Sequence, residues 1–360
     1  MNISERYIAK TLFSFTAMVL IIWLGVYSFF NFLEEINSVG SADYSSLQAI
    51  IYITLKMPEV IYSQSSSIIL LGCVLGMGHL ATSNQLIVLQ ISGVSILKMT
   101  IFTIKIALIF VFSLIFIGEI FAPISSEQGE KGRAKALGIS EISKNQDGFW
   151  IKDGKNFINV KKNLDGKLFF DVSIFEINQS NSIKTVTTAE RAKFENQILE
   201  MTNTEIFSID NSSYIDNIAI KKINSLIKMV AFDSSLIDSL RKPPNDLTTW
   251  TIIRQIQYLS ANNLKSDIFE VELYKRLIRP FTLVAMILLA MIFIFDSNRT
   301  TTLGKKIFFG ITLALLFEMV SRIGSAISLG FEFNSIIIAF LPTLIVMFIS
   351  VIILIRKSVI

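Results

Sequence analysis

TLFSFTAMVLIIWLGVYSFFNFL, Thr11 to Leu33, carries no charged residue over its whole length. A transmembrane helix needs roughly 20 predominantly apolar residues, so this run predicts a membrane span. It is too long for a signal-peptide core of ~7–15 apolar residues, and no small-residue cleavage site follows it. With Arg6 and Lys10 just ahead, the stretch reads as a permanent anchor.

Five further runs follow, at Ile61–Ala81, Thr100–Phe121, Pro280–Phe295, Ile307–Leu329 and Ile336–Ile355. The second is weakened at its start by the polar run Ser63 to Ser67, and the fourth is short, so it either extends upstream or sits tilted. The composition agrees: 52% of the 360 residues are hydrophobic and only 17% charged. Cys73 is the single cysteine, which excludes an internal disulfide framework. The net charge of +4 is small and sits in short clusters beside apolar runs, a membrane-orientation pattern rather than a nucleic-acid surface. Arg6, Lys10, Lys98, Arg299, Lys305, Lys306, Arg356 and Lys357 fall on one side of a six-span bundle if both termini are cytoplasmic. The expectation is therefore a multi-pass membrane protein with its ends inside.

Between spans three and four lies a polar piece, Ile124 to Asp246, expected outside the cytoplasm. KLFFDVSIFEIN, Lys167 to Asn178, alternates, which predicts Leu168, Phe170, Val172 and Ile174 on one side of a strand. Turn signals at Asp153-Gly154, Asp165-Gly166 and 179–181 punctuate the piece, and FWIKDGKNFINVKK reads as a hairpin turning at Asp153-Gly154. Short, evenly spaced strands favour a β-sandwich or β-jelly roll. Beyond Pro243-Pro244, Leu247 to Asn262 reads as an amphipathic interfacial helix. The predicted fold is a membrane α-helical bundle with an inserted all-β domain: transmembrane helices over 1–123, the β-domain over 124–246, and the interfacial and remaining membrane helices over 247–360.

The chain shows few tools for catalysis. Leu303-Gly304-Lys305-Lys306 lacks the upstream glycine and the hydroxyl of a phosphate-binding loop, so no nucleotide site of its own is expected. His79 is the only histidine, HExxH is absent, and no G-x-S-x-G elbow occurs. Neither a metal nor an organic cofactor is expected on this chain. Ionisable residues near or within the spans are the better lead, since each is costly in hydrocarbon. Glu318 and Arg322, four residues apart, share a helical face and either neutralise each other inside the bundle or face a lumen. Lys275, Arg276 and Arg279 cluster before span four, as snorkelling interfacial cations or as a site for an anionic headgroup. Glu119 sits near the outer end of span three, and Gly72 and Gly76 in span two allow close helix packing.

Asn84 to Lys98 reads as a half-polar helix in which Val88 and Ile91 fall within the polar arc. Exposed apolar residues ringed by polar ones form either a docking knob or an imperfect membrane-surface helix. A docking knob would let a chain without a nucleotide site draw on a separate ATPase. A non-transporting scaffold or sensor with an outer β-domain is the reading from another class.

Five pieces carry a resemblance: ERYIAKT at Glu5–Thr11, LLGCVLGMGHLA at Leu70–Ala81, QLIVLQISGVS at Gln85–Ser95, GEIFAP at Gly118–Pro123 and GFWIKDGKNFINV at Gly148–Val160. In this order they resemble the LptF/LptG lipopolysaccharide-export permease family, and the tryptophan-bearing strand with its Lys152-Asp153-Gly154 turn is similar to the LptG branch. The resemblance implies six helices and a periplasmic β-jelly roll. Its implied partners are an LptF-like permease subunit, an LptB-like ATPase dimer that holds ATP and Mg, and LptC-like and LptA-like jelly-roll proteins. It makes the segment about 82–98 a coupling helix, with Gln85, Val88, Ile91, Ser92 and Gly93 in or near ATPase contact. Gln85 stands where family members usually carry Glu, which reduces an expected ion pair to a neutral hydrogen bond. Asn31, Asn37 and Ser38 stand where members carry lysines, so phosphate contact is expected to rest on Arg133, which matches a family arginine, and on Lys275, Arg276 and Arg279. Phe170 and Val172 are the expected contacts for lipid chains on the inner face of the jelly roll.

Overall fold

The computed structural model describes residues 3–138, 148–164, 167–178, 182–210, 217–232, 236–237, 242–296, 303–331 and 333–359. The expected turns at Asp165-Gly166 and 179–181 lie outside them. The chain divides into two compact units, one of residues 1–39, 46–130 and 267–360, the other of residues 40–45 and 131–266. The compact units meet at 130/131 and 266/267, beside the expected domain boundaries at 123/124 and 246/247. The helix of span three continues past its apolar end, and the helix over Thr249–Ala261 packs on the strands.

The first unit holds α1 (Ile3–Glu35), α2 (Ser46–Ser63), α3 (Ser65–Thr82), α4 (Gln85–Ile91) and α5 (Ile96–Phe116). A π-helical turn, Ile117–Phe121, leads into α6 (Ala122–Ala136). Among the described residues, five helical segments are long and apolar enough to cross a membrane: Glu5–Glu35, Ser65–Thr82, Ile96–Ala136, Asp267–Phe295 and Ser335–Lys357. The expected span 307–329 is also helical and lies inside a 29-residue helix, Leu303–Phe331, which is not among those five.

α3 is the axle of this unit. Thirteen of its 18 residues are buried, which is why it shows no amphipathic stripe: a helix surrounded by others has no polar side to display. Gly72 lies against Thr16 of α1 so closely that a Cβ there would overlap the threonine side chain, and Gly76 abuts Leu12. Small residues at helical spacing therefore set the α1–α3 approach, as the sequence predicted. The serine-rich start of span two is the break between α2 and α3 at Gln64, with Ser65 and Ser67 buried. Span four extends upstream: its helix begins at Asp267, well before Pro280.

Among the described residues the second unit contains six strands: β1 (Phe149–Asp153), β2 (Asn156–Leu164), β3 (Leu168–Ile177), β4 (Ile183–Glu195), β5 (Ile198–Asp210) and β6 (Asn217–Met229). All pair antiparallel in chain order, a meander in which sequence neighbours are sheet neighbours. The all-β insert stands, and among the described strands its connectivity is up-and-down. The first hairpin turns at Gly154 (φ 59) and Lys155, with Asp153 paired to Asn156. Leaving out a Cβ makes that left-handed conformation accessible.

A crease runs straight across this sheet. Pairing lapses at Lys161, Asp171, Glu190, Asn203 and Asn224 in five successive strands and resumes in the same register beyond each. Asp171 and Asn203 take left-handed φ values of 52 and 53 there, and Asn203 Nδ2 donates to Glu190 Oε2 at 2.7 Å. Period-two alternation breaks at the crease: Phe169 and Val172, three apart, are both buried, as are Met201 and Thr204. The prediction that Leu168 and Phe170 share a face with Val172 and Ile174 is therefore corrected. Phe169 takes the inner position, Leu168 is exposed, and Phe170 lies half-buried under Arg191, whose Cζ is 5.9 Å from its ring centroid. The inner face closes on an aromatic stack, Phe169–Phe194–Phe232, with centroids 5.7 and 5.3 Å apart.

The rest of the chain supplies α7 (Thr249–Ala261), α8 (Asp267–Asp296), α9 (Leu303–Phe331) and α10 (Ser335–Val359). α7 belongs to the second unit. Tyr258 Oη accepts from Lys152 N at 3.1 Å and donates to Lys152 O at 2.8 Å, while Lys152 Nζ donates to Asn262 O at 2.7 Å. The Lys-Asp-Gly turn is thus the fitting that holds the end of α7 on the sheet.

Candidate functional site

Asn84 to Met99 is not one helix. α4 ends at Ile91, where Gly93 (φ +86) closes a Schellman turn: its N–H donates to Gln90 O at 2.9 Å and Val94 N–H to Leu89 O at 3.1 Å. Ser95 then caps α5, its Oγ accepting from Lys98 N at 3.3 Å. The single helix expected over 82–98 is instead α4 at Gln85–Ile91 followed by the start of α5 at Ile96, because a left-handed glycine between two capping signals stops a helix. Leu86 and Leu89 face the core of the first unit, so α4 is anchored by one side. The other side presents Val88 at 61% and Ile91 at 82% exposure. Ser92 Oγ donates to Val88 O at 2.8 Å, and Gly93 opens onto free space. Gln85 Oε1 is buried without a hydrogen-bond partner, a deficit that native structures rarely leave uncorrected.

The cations before span four divide sharply. Arg276 is 5% exposed: Nε donates to Glu272 Oε1 at 3.0 Å, and Nη1 lies 3.7 Å from Glu119 Oε2. Glu119 Oε1 in turn accepts from Tyr62 Oη at 3.0 Å. Arg279 Nη1 donates to Tyr62 O at 2.6 Å, with Cζ 3.9 Å above the tyrosine ring. Arg276 and Arg279, expected as headgroup ligands, both have partners inside the unit. Glu119 is likewise engaged inside the unit. The π-helical turn aims it inward, and Gly118 is the residue that fits, because any Cβ there would enter the ring of Tyr62.

Lys275 is half-buried on α8 within electrostatic reach of Glu318 and Arg322 on α9. Glu318 and Arg322 do pair, Nε to Oε1 at 3.0 Å, with side chains 30% and 70% exposed. Arg133 belongs to the second unit, in the last turn of α6, with Cζ 6.0 Å from the centroid of Tyr44. Val172 is fully buried in the inner core of the sheet. His79 is exposed and lies beside Phe15, with ring centroids 5.3 Å apart and planes tilted by 37°. Tyr62 and Glu272 are the members of this constellation that sequence reading missed. The short polar interruption after Tyr62 was the one signal for it.

Long apolar helices around a common core, with an antiparallel β-domain inserted among them, define a multi-pass membrane protein. Residues 6–356 match the lipopolysaccharide export system permease LptF/LptG family, and the chain belongs to it. It is 25% identical over 359 residues to the lipopolysaccharide export system permease protein LptG of Escherichia coli strain K12, covering 99% of each chain. To the protein of that name in Haemophilus influenzae Rd it is 28% identical over 347 residues, 95% of each.

Proposed function

We propose that this chain is a permease subunit of a lipopolysaccharide exporter. It would take the lipid from the outer leaflet of the inner membrane and pass it to a periplasmic bridge of β-domains. Its partners in this reading are an LptF-like subunit, an LptB-like ATPase dimer holding ATP and Mg, and LptC-like and LptA-like proteins. The LptG branch is favoured over the paralogous LptF by the relatives named above.

α4 carries the reading. A seven-residue helix fixed by Leu86 and offering Val88 and Ile91 outward is a rigid apolar peg. Gln85, Ser92 and Gly93 border it. With no phosphate-binding loop of its own, the chain receives work through such a contact. With termini and α4 in the cytoplasm, the β-domain lies in the periplasm.

Energetics constrain the route. Exposing a lipid costs ~0.8 kcal/mol per CH₂, so several acyl chains in water would require tens of kcal/mol, and the path must stay apolar throughout. The exposed apolar sides of α1 and α9 supply the membrane part, and the inner face around Val172 supplies the β-domain part once its aromatic closure opens.

The test is affinity purification of the intact chain from its own membranes in detergent. An ATPase subunit should accompany it, with turnover that rises when lipopolysaccharide is added. An intact chain that brings down no ATPase ends this reading.

A further inference from the structure

The outer face of the β-domain carries an aromatic strip that packs on nothing. Ile151, Ile158 and Ile174 point into the inner core, so by strand alternation their neighbours Trp150, Phe157 and Phe175 stand on the opposite face. Strand pairing carries this row straight across the sheet: Phe157 opposes Phe175, Phe175 opposes Val186, Val186 opposes Phe207, and Phe207 opposes Ile220. From β1 to β6 the strip spans about 24 Å, at about 4.8 Å per strand. Trp150 and Ile220, near its two ends, are more than half exposed, and the four side chains between them are half-buried. The Trp150 indole stacks on the Phe175 ring, with centroids 5.7 Å apart and planes 23° from parallel. Phe175 thus braces one face of the indole and leaves the other to solvent.

A second row runs alongside. Asn159 opposes Ser173, which opposes Thr188. All three are uncharged and half-buried, and among the described residues their side chains make no hydrogen bond within the chain. Three of the cations beside the strip have partners in the domain: Lys184 Nζ lies 4.0 Å from Glu176 Oε1, Lys222 Nζ 2.7 Å from Glu205 Oε1, and Lys152 Nζ donates to Asn262 O. An anionic membrane surface draws on unpaired cations, and a protein-docking patch has an apolar centre ringed by polar residues. A narrow aromatic row with a neutral hydrogen-bonding row beside it fits a sugar better. A pyranose ring is apolar on its axial C–H face and polar around its rim, so it stacks on an aromatic ring while its hydroxyls bond to neighbouring amide and hydroxyl groups. The step of about 4.8 Å from strand to strand is also close to the rise per residue of an extended glycan.

We propose that this strip is a platform for the sugars of the exported glycolipid, with Trp150 as its main stacking residue and Asn159, Ser173 and Thr188 as hydrogen-bonding partners. This rests on the export reading above. β1 is an edge of the sheet, and on it Trp150 faces outward while the next residue, Ile151, is 1% exposed on the inner face. An amphiphile whose chains lie on the inner face therefore reaches the platform across a single strand. The glycolipid straddles the edge, chains inside and sugars outside.

The experiment uses the complete complex in phosphatidylcholine nanodiscs and measures, by calorimetry, binding of intact lipopolysaccharide, of its core oligosaccharide freed of lipid by mild acid, and of soluble peptidoglycan strands. The freed oligosaccharide should bind with an affinity that is the same at low and high salt, because stacking and neutral hydrogen bonds are not screened. Trp150→Ala should weaken it about tenfold, the scale of one lost aromatic contact, and Trp150→Phe should recover part of the loss. Phe207→Ser, on a different strand, should weaken it as well, so the outcome does not hang on one position that affects folding. Variants that bind the oligosaccharide like the wild type, or an affinity that falls steeply with salt, would overturn the proposal. So would equally tight, Trp150-dependent binding of peptidoglycan strands. A wild-type complex that binds lipopolysaccharide but not the freed oligosaccharide refutes the platform alone, whereas one that binds no lipopolysaccharide refutes the export reading itself.

Discussion

Arg279 lies flat on Tyr62, its Cζ 3.9 Å from the ring centroid, and its Nη1 donates to the backbone carbonyl of the same residue at 2.6 Å. That carbonyl belongs to the last turn of α2, where helix carbonyls lose their own partners. One arginine on α8 therefore closes the break between α2 and α3 by stacking and hydrogen bonding together. Arg279→Ala should lower stability by about 2–4 kcal/mol, from a desolvated cation–π contact and a charged hydrogen bond. Arg279→Lys should recover only part, since an ammonium lacks the planar fork. Thermal unfolding in detergent followed by tryptophan fluorescence checks this, and melting of the alanine variant at the wild-type temperature would refute it.

Arg276 presents a buried charge between two carboxylates. Arg276→Ala should cost about 3–5 kcal/mol, because Glu272 and Glu119 would remain without their cation. Combining it with Glu119→Gln should restore part of the loss. Strict additivity in this double-mutant cycle would show that the 3.7 Å contact carries no coupling.

On α4, packing and docking separate cleanly. Ile91→Glu, at an exposed site, should change stability by no more than ~0.5 kcal/mol while releasing the ATPase. Leu86→Ala should cost about 2–5 kcal/mol. Gly93→Ala, which forces a side chain into a left-handed conformation, should cost about 1–2 kcal/mol. An Ile91→Glu chain that still co-purifies with the ATPase in full yield would dislodge the docking role.

The β-domain predicts a measurable closure. Val172 is sealed in the inner core with Phe232. A photo-reactive side chain at Val172 should therefore capture little lipopolysaccharide in cells. Phe232→Ala should raise that yield while costing about 3–5 kcal/mol from the cavity it leaves. High capture in the unaltered domain would mean that the inner face stands open in the working protein.

Tyr258 links pH to the α7 fitting. Burial raises its phenol above the ordinary value, and only the neutral form can both donate to and accept from Lys152. A group whose folded-state value is raised contributes fully below about 10 and loses that contribution as pH climbs through the raised value. Tyr258→Phe should cost about 1 kcal/mol at pH 8, and the difference from wild type should shrink above pH 10. Melting curves across that range decide it; a gap that widens with pH would reverse the sign.

Much of the site was legible because it depends on short-range pattern. Val88 and Ile91 stood out against their polar arc, and the structure exposes both. Gly93 was visible as a glycine but not as a helix stop, since a Schellman turn and an amphipathic helix share the same apolar spacing until the backbone is seen. Phe170 misled for a related reason. Alternation assumes an unbroken pleat, and the residue next to it, Asp171, lies on a crease that spans five strands.

Hydropathy is a property of contiguous residues, so the sequence alone determined the apolar runs, the polar insert among them and the absence of a nucleotide loop. The fate of each charge was decided only by folding. Arg279 is 217 positions from Tyr62, and Arg276 meets Glu119 from a different helix. Ion pairing in a low-dielectric interior is settled within a few ångströms and takes no account of chain distance. Three cations that look equivalent on the chain became two internal fastenings and one half-exposed charge.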